Sequence, residues 1–197
     1  MAHNAWVPLT IDPRSAASDP GNLKLSLARL KRLEPDLFLP WRERGLLQRR
    51  LAILGVREQL RLGDSRAALV ISVRPLRVAA YTDEFDCSVV VELPAHVAAD
   101  LELSVGTRLL AVHTYASSGP CAADLVPGPG HTQRQLNVFP LVAEFLVTDP
   151  SATAIRKQAI SEQEWIRASA AADEYLRHTR GRCRDGRPTR SGIPVTF

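Results

Sequence analysis

"AALVISVRPLRVAAYTDEFDCSVVVEL", residues 67–93, decides the class of fold. Before it, apolar residues recur at helical spacing; within it they alternate or run together over short segments, the signature of strands. "ALVISV" and "LRVAAY" read as a strand or strand pair broken at Pro75, because a proline inside a sheet demands an edge, a bulge or a break. "CSVVVEL" is the next strand, with Cys87, Val89, Val91 and Leu93 on one face. Between them Thr82, Asp83, Glu84, Phe85 and Asp86 have the length of a hairpin loop.

That acidic knot carries two readings. An Asp in a tight loop hydrogen-bonds its own backbone, so a solvated turn accounts for the residues without further assumption. Alternatively Asp83, Glu84 and Asp86, joined by His113 or His131, supply an oxygen-rich set for Ca²⁺ or Mg²⁺, or an acid–base pair. The spacing matches no metal-binding motif, and the turn is the preferred reading; neither ion is expected to raise the melting temperature.

Downstream, "RLLAVHTY" and "LVAEFLV" (141–147) are two further strands, the second nearly continuous and therefore expected to be covered on both faces. Residues 116–136 between them are rich in Gly, Pro and Ser, and a loop that long is functional or disordered. "GPGHT", 128–132, lacks the Lys of a phosphate-cradling loop. Other nucleotide, zinc-protease and serine-hydrolase motifs are missing too, so no cofactor and no resident metal is expected.

Helices flank the strands. Asn22 is a candidate cap for a helix through Leu23, Leu27 and Leu30 that stops before Pro35. A second helix follows Pro40 and ends near Gly63, with Gly55 as a potential kink. On a helical wheel its arginines share an arc with Leu46, Ile53 and Leu60. Apolar residues occupy most of the circumference, which predicts cover on more than one side and argues against a bare DNA-reading helix. Pro94–Asp100 is a short helix. Asp149-Pro150 starts another. Ser161-Glu162-Gln163-Glu164 is a capping box, in which the Ser hydroxyl takes an orphan N–H and Glu164 reaches back. Trp165, Ala168, Ala172, Tyr175 and Leu176 then form an apolar stripe, and Trp165 and Val91 are expected in the core. The class is α+β: a small curved antiparallel or mixed sheet, or partial barrel, with N-terminal helices and a C-terminal helix.

A net charge of +4 over 197 residues conceals segregation. Residues 24–66 and 177–197 are strongly basic, whereas 67–176 carry seven Lys and Arg against thirteen Asp and Glu. One domain is expected, made of an irregular lead and basic helical arm (1–66), an acidic β-rich core (67–148), a helical segment (149–180) and a basic flexible tail (181–197). Arg177, Arg180, Arg182, Arg184, Arg187 and Arg190 crowd the last of these. With few apolar neighbours the tail is expected to be loose, to attract a polyanion, or to lie on the acidic centre. Its removal from residue 182 onward is expected to shift the melting temperature by only a few degrees.

No apolar run reaches the roughly 18 residues needed to span a bilayer. Cys87, Cys121 and Cys183 are too scattered for a disulfide framework, which suits a reducing, cytoplasmic setting and no membrane. Three functions stay open, in order. The first is a non-enzymatic binding or regulatory module using the β-rich centre as its platform. The second is a nucleic-acid-associated protein using its basic flanks, the same flanks on which an acidic protein or a nucleic acid is the expected partner. The third is an enzyme built on the 82–86 turn, His113 and the 116–136 loop.

Overall fold

The structure, a computed structural model, describes residues 19–39 and 46–196. The expected lead over residues 1–18, the opening of the second helix at 40–45, and Phe197 lie outside these.

Six strands form one mixed sheet. In chain order they are β1 (Asp64–Val73), β2 (Leu76–Thr82), β3 (Cys87–Leu93), β4 (Arg108–Ala116), β5 (Asn137–Val142) and β6 (Arg184–Asp185). Their spatial order is β5-β4-β1-β2-β3-β6, antiparallel throughout except for β6 beside β3, and the sheet curls into a half-barrel. Pro75 is the break between β1 and β2: Arg74-Pro75 is a cis peptide in a two-residue turn, where no ladder N–H is required. The strand expected over 141–147 is displaced: β5 starts at Asn137 and shares only Leu141 and Val142 with it. Val142 leads into a 3₁₀ turn at Ala143–Phe145, because the Glu144 carboxylate takes the Leu110 N–H at 2.9 Å and the Lys157 ammonium at 2.9 Å.

Four helices pack around the sheet: α1 (Leu27–Leu33), α2 (Leu46–Leu62), α3 (Pro150–Ala159) and α4 (Glu162–His178). α1 begins later than Asn22 would set it. Leu23 and Ser26 are held extended by backbone bonds to Leu60 (3.1 Å) and Leu146 (2.7 Å), so Ser26 becomes the cap. α2 runs through Gly55 as one helix. Its end abuts β4 so closely that a Cβ on Gly63 would sit 2.6 Å from the carbonyl oxygens of Gln59 and His113.

α4 lays Trp165, Ala168, Ala172 and Tyr175 on the sheet, the stripe read from the sequence. Only half of its capping box forms. Ser161 Oγ accepts from the Glu164 N–H (3.2 Å), but the Glu164 carboxylate accepts from the Ala67 N–H at 2.8 Å instead of turning back. The register explains why. β1 and β2 are paired from Ala68↔Ala80 onward, which leaves Ala67 N–H without a ladder partner on that side, and a buried N–H requires one.

Candidate functional site

The knot is a turn, and it is also a clamp. Asp86 sits in the left-handed region (φ 47°) and accepts from the Tyr81 hydroxyl at 2.7 Å and the Gly130 N–H at 3.0 Å. Glu84 accepts from the Thr132 hydroxyl (2.6 Å), and its carbonyl takes the Thr132 N–H (3.0 Å). Phe85 is fully buried and stacks on His131, ring centroids 5.5 Å apart. Gly128 approaches so near that a Cβ would meet the Asp86 carbonyl oxygen at 2.4 Å. Residues 117–136, after β4 has taken Ala116, thus lack regular structure yet are pinned across the turn. Asp83 points elsewhere, to Arg66, which also pairs with Asp64 at 2.6 Å.

Asp83, Glu84 and Asp86 are thus each engaged by a protein donor. His113 is 1 % exposed and its Nε2 meets the Tyr81 carbonyl at 2.8 Å, so that nitrogen carries the proton and Nδ1 is left bare. Burial lowers its pKa to about 4, which keeps the ring neutral. Burial works against ionisation of Asp86 as well, but the bonds from Tyr81 and Gly130 outweigh it and hold the carboxyl below its usual range. Among the described residues no three His, Cys, Asp or Glu side chains converge as a metal cluster. Asp86→Ala removes two charge-assisted acceptor bonds. It is expected to cost roughly 2–4 kcal/mol in urea unfolding and to expose 119–133 to protease, whereas Asp83→Asn changes little. Since the Asp86 pKa is lowered by folding, its contribution is present above the unfolded carboxylate range and disappears as the pH falls through the folded value.

The six tail arginines separate into two groups. Arg177, Arg180 and Arg182 stay at the surface. Arg184 is 1 % exposed and lies inside the protein. Its guanidinium pairs bidentately with buried Asp124 (2.6 and 2.7 Å), and Asp124 also accepts from the Tyr175 hydroxyl at 2.8 Å. Its remaining nitrogen donates to the Val138 carbonyl at 2.7 Å. Arg184 belongs to β6 and Val138 to β5, the two outer strands, so one side chain links the open edges of the half-barrel where no ladder closes them. Arg187 and Arg190 fold back onto Asp36 (3.4 and 3.3 Å), and Thr189 donates to buried Glu34. The loose tail is therefore corrected. Alternation of Arg with small residues hid the fact that Arg184, Arg187 and Arg190 have partners 60 to 154 residues away, and the segment lies on the acidic centre and on the chain after α1.

α2 departs from expectation in the opposite direction. It buries one side: Ala52, Val56, Gln59 and Leu60, with Gln59 Nε2 donating to the Val112 carbonyl at 3.3 Å. The other side, expected to be covered, is open. Leu47 (69 %), Leu51 (46 %) and Leu54 (48 %) follow at i, i+4 and i+7 along one exposed line. Leu46 and Leu62 are exposed as well, so α2 holds five of the eleven exposed large apolar side chains among the described residues. The others are dispersed, and single exposed apolar residues need no explanation whereas a row does. Arg50 and Arg57 border it on one side, without an ion-pair partner among the described residues; Arg61 pairs with Glu58 at 2.8 Å beyond its end. Strands β1 to β4, by contrast, are largely buried on both faces.

Comparison with protein-family models, curated proteins and solved structures found no match to this chain. Among the described residues no helix is long and apolar enough to cross a membrane.

Proposed function

We propose that this chain is a non-enzymatic protein-binding module whose working surface is the outer face of α2. The observation that carries this reading is the exposed row Leu47, Leu51 and Leu54 on a helix anchored from behind by Ala52, Val56 and Leu60. A rigid helix presenting apolar side chains in register is a common basis for helix recognition. Part of each leucine is already covered, so burying the rest is worth roughly 0.7–2 kcal/mol each, which is the driving force available to a partner. The alternative enzyme reading has less support. Asp83, Glu84 and Asp86 are each bonded to a protein donor, and His113 is sealed from solvent.

The test is site-specific photocrosslinking in the cells that make the chain, with the photoreactive residue at Leu47 and, as control, at Ile166, equally exposed on α4. Discrete protein adducts from position 47, absent from position 166 and lost when Leu51→Asp is added, are the expected result. No adduct at 47, or the same adducts at both positions, overturns the reading.

A further inference from the structure

We infer that the partner received by α2 is an acidic amphipathic helix, lying along Leu47, Leu51 and Leu54 with its carboxylates on the Arg50–Arg57 side. This rests on the reading of α2 as the binding face and adds the chemistry of what binds there.

The geometry restricts the occupant. Leu47, Leu51 and Leu54 form one ridge over two turns, about 10 Å of helix at 1.5 Å per residue. Side chains four and three apart make the ridge-and-groove surface into which a second helix packs. Arg50 and Arg57 are seven apart, hence two turns apart on one side of that ridge. A helix with apolar residues at i, i+3 or i+4, and i+7, and Glu or Asp along one flank, matches both the row and its charged border.

Three other occupants fit less well. Nucleic acid would place phosphates on the arginines but leave three leucines against a hydrated backbone. A membrane surface would have to accept the Glu58–Arg61 pair, which stands on the same exposed side one turn beyond Leu54. An interfacial helix needs its charges at the borders of the apolar face, not across its path. A second copy would set like charge on like charge. α2 carries four arginines against one glutamate, so two α2 helices face to face repel where an acidic partner attracts.

The experiment uses the full chain and two synthetic helical peptides with identical leucines, one with Glu and one with Lys on the flank, measured by fluorescence anisotropy at low and high salt. The Glu peptide is expected to bind roughly tenfold tighter than the Lys peptide, since two favourable rim pairs replace two unfavourable ones. The preference should shrink with added salt as the rim charges are screened. Arg50→Glu with Arg57→Glu should invert the preference, and Leu51→Asp should abolish binding of both peptides; all these positions are exposed, and an unchanged circular dichroism melt verifies folding. Equal binding of the two peptides overturns the inference, as does absence of binding to either. So does Leu51-dependent binding of phosphatidylglycerol vesicles or duplex DNA in preference to the Glu peptide, or concentration-dependent dimerisation abolished by Leu51→Asp. If the crosslinks from Leu47 persist while the Glu peptide fails, the partner chemistry is wrong and the binding face stands; if the crosslinks are missing, the binding face itself fails.

Discussion

Arg184→Leu is expected to lower the stability of the whole protein by about 3–5 kcal/mol, because it leaves the Asp124 carboxylate buried without its counter-charge. For a chain of this size that corresponds to a fall of roughly 6–20 °C in melting temperature. The loss should exceed that of Arg177→Leu or Arg182→Leu, whose side chains are in water. Adding Asp124→Leu to Arg184→Leu should recover much of the loss, since the uncompensated charge leaves together with the cation. The pH dependence supplies a second sign. In the native protein burial opposes ionisation of Asp124, but the Arg184 guanidinium overrides it and lowers the pKa. Its contribution is therefore constant above the unfolded carboxylate range and is lost only in stronger acid. In Arg184→Leu only hydrogen bonds, chiefly from the Tyr175 hydroxyl, still oppose burial, so the pKa rises and acidification from neutral pH relieves the penalty. The gap between the two proteins, measured by urea unfolding, should thus narrow as the pH is lowered toward 5. A gap independent of pH, or near zero throughout, would remove Arg184 as the link between β5 and β6. Deletion of residues 182–197 should reproduce the loss, since it removes the same cation.

Why the strands were legible and this link was not is a matter of range. Strand periodicity is written within six or seven neighbours, so β2, β3 and β4 follow from Leu76–Leu93 and Arg108–Ala116 almost residue for residue, whereas β1 starts at Asp64, three residues before the Ala67 that the pattern indicates. The acidic knot follows likewise, because a turn is local chemistry. The link between Arg184 and Asp124 spans 60 residues, and no local pattern distinguishes a buried arginine from five others in an Arg-rich segment. Glu144 and Glu164 illustrate the same limit. Each looked like a polar residue inside a local element, and each instead supplies a carboxylate to an N–H of a strand far along the chain, Leu110 and Ala67. α2 is the instructive case. Its composition announced more apolar surface than one buried side requires, and the natural inference was a second cover. The surplus was real; periodicity does not say whether the cover belongs to the same chain.

Trp165→Ala is expected to cost about 3–5 kcal/mol, the range for emptying the site of a buried aromatic side chain. Trp165 packs with Ala67, Leu69, Tyr81 and Ala168 in a cluster of its own on the α4 side of the sheet. Ala67 on β1 and Ala168 on α4 are too short to close over a missing indole, so the cavity term should be large. The Arg108 guanidinium lies 4.9 Å from the Trp165 ring and pairs with both oxygens of Glu162, at 2.6 and 2.5 Å. That exposed contact is worth little in comparison: Arg108→Gln should leave the urea midpoint almost unchanged. Urea unfolding followed by circular dichroism separates the two, and a near-neutral Trp165→Ala would show that α4 is not held by its stripe. The neighbour of Trp165 makes the consequence wider than one side chain. Glu164 completes the Ala67 N–H where β1 departs from β2, so loosening this turn of α4 also leaves a buried backbone donor without a partner. Trp165→Ala and Glu164→Leu, which removes the acceptor of the Ala67 N–H, should therefore be non-additive, the second costing less once the first has already released the helix. Additive losses would mean that indole packing and the carboxylate cap hold α4 independently, and that the open end of β1 does not depend on how tightly the helix is seated.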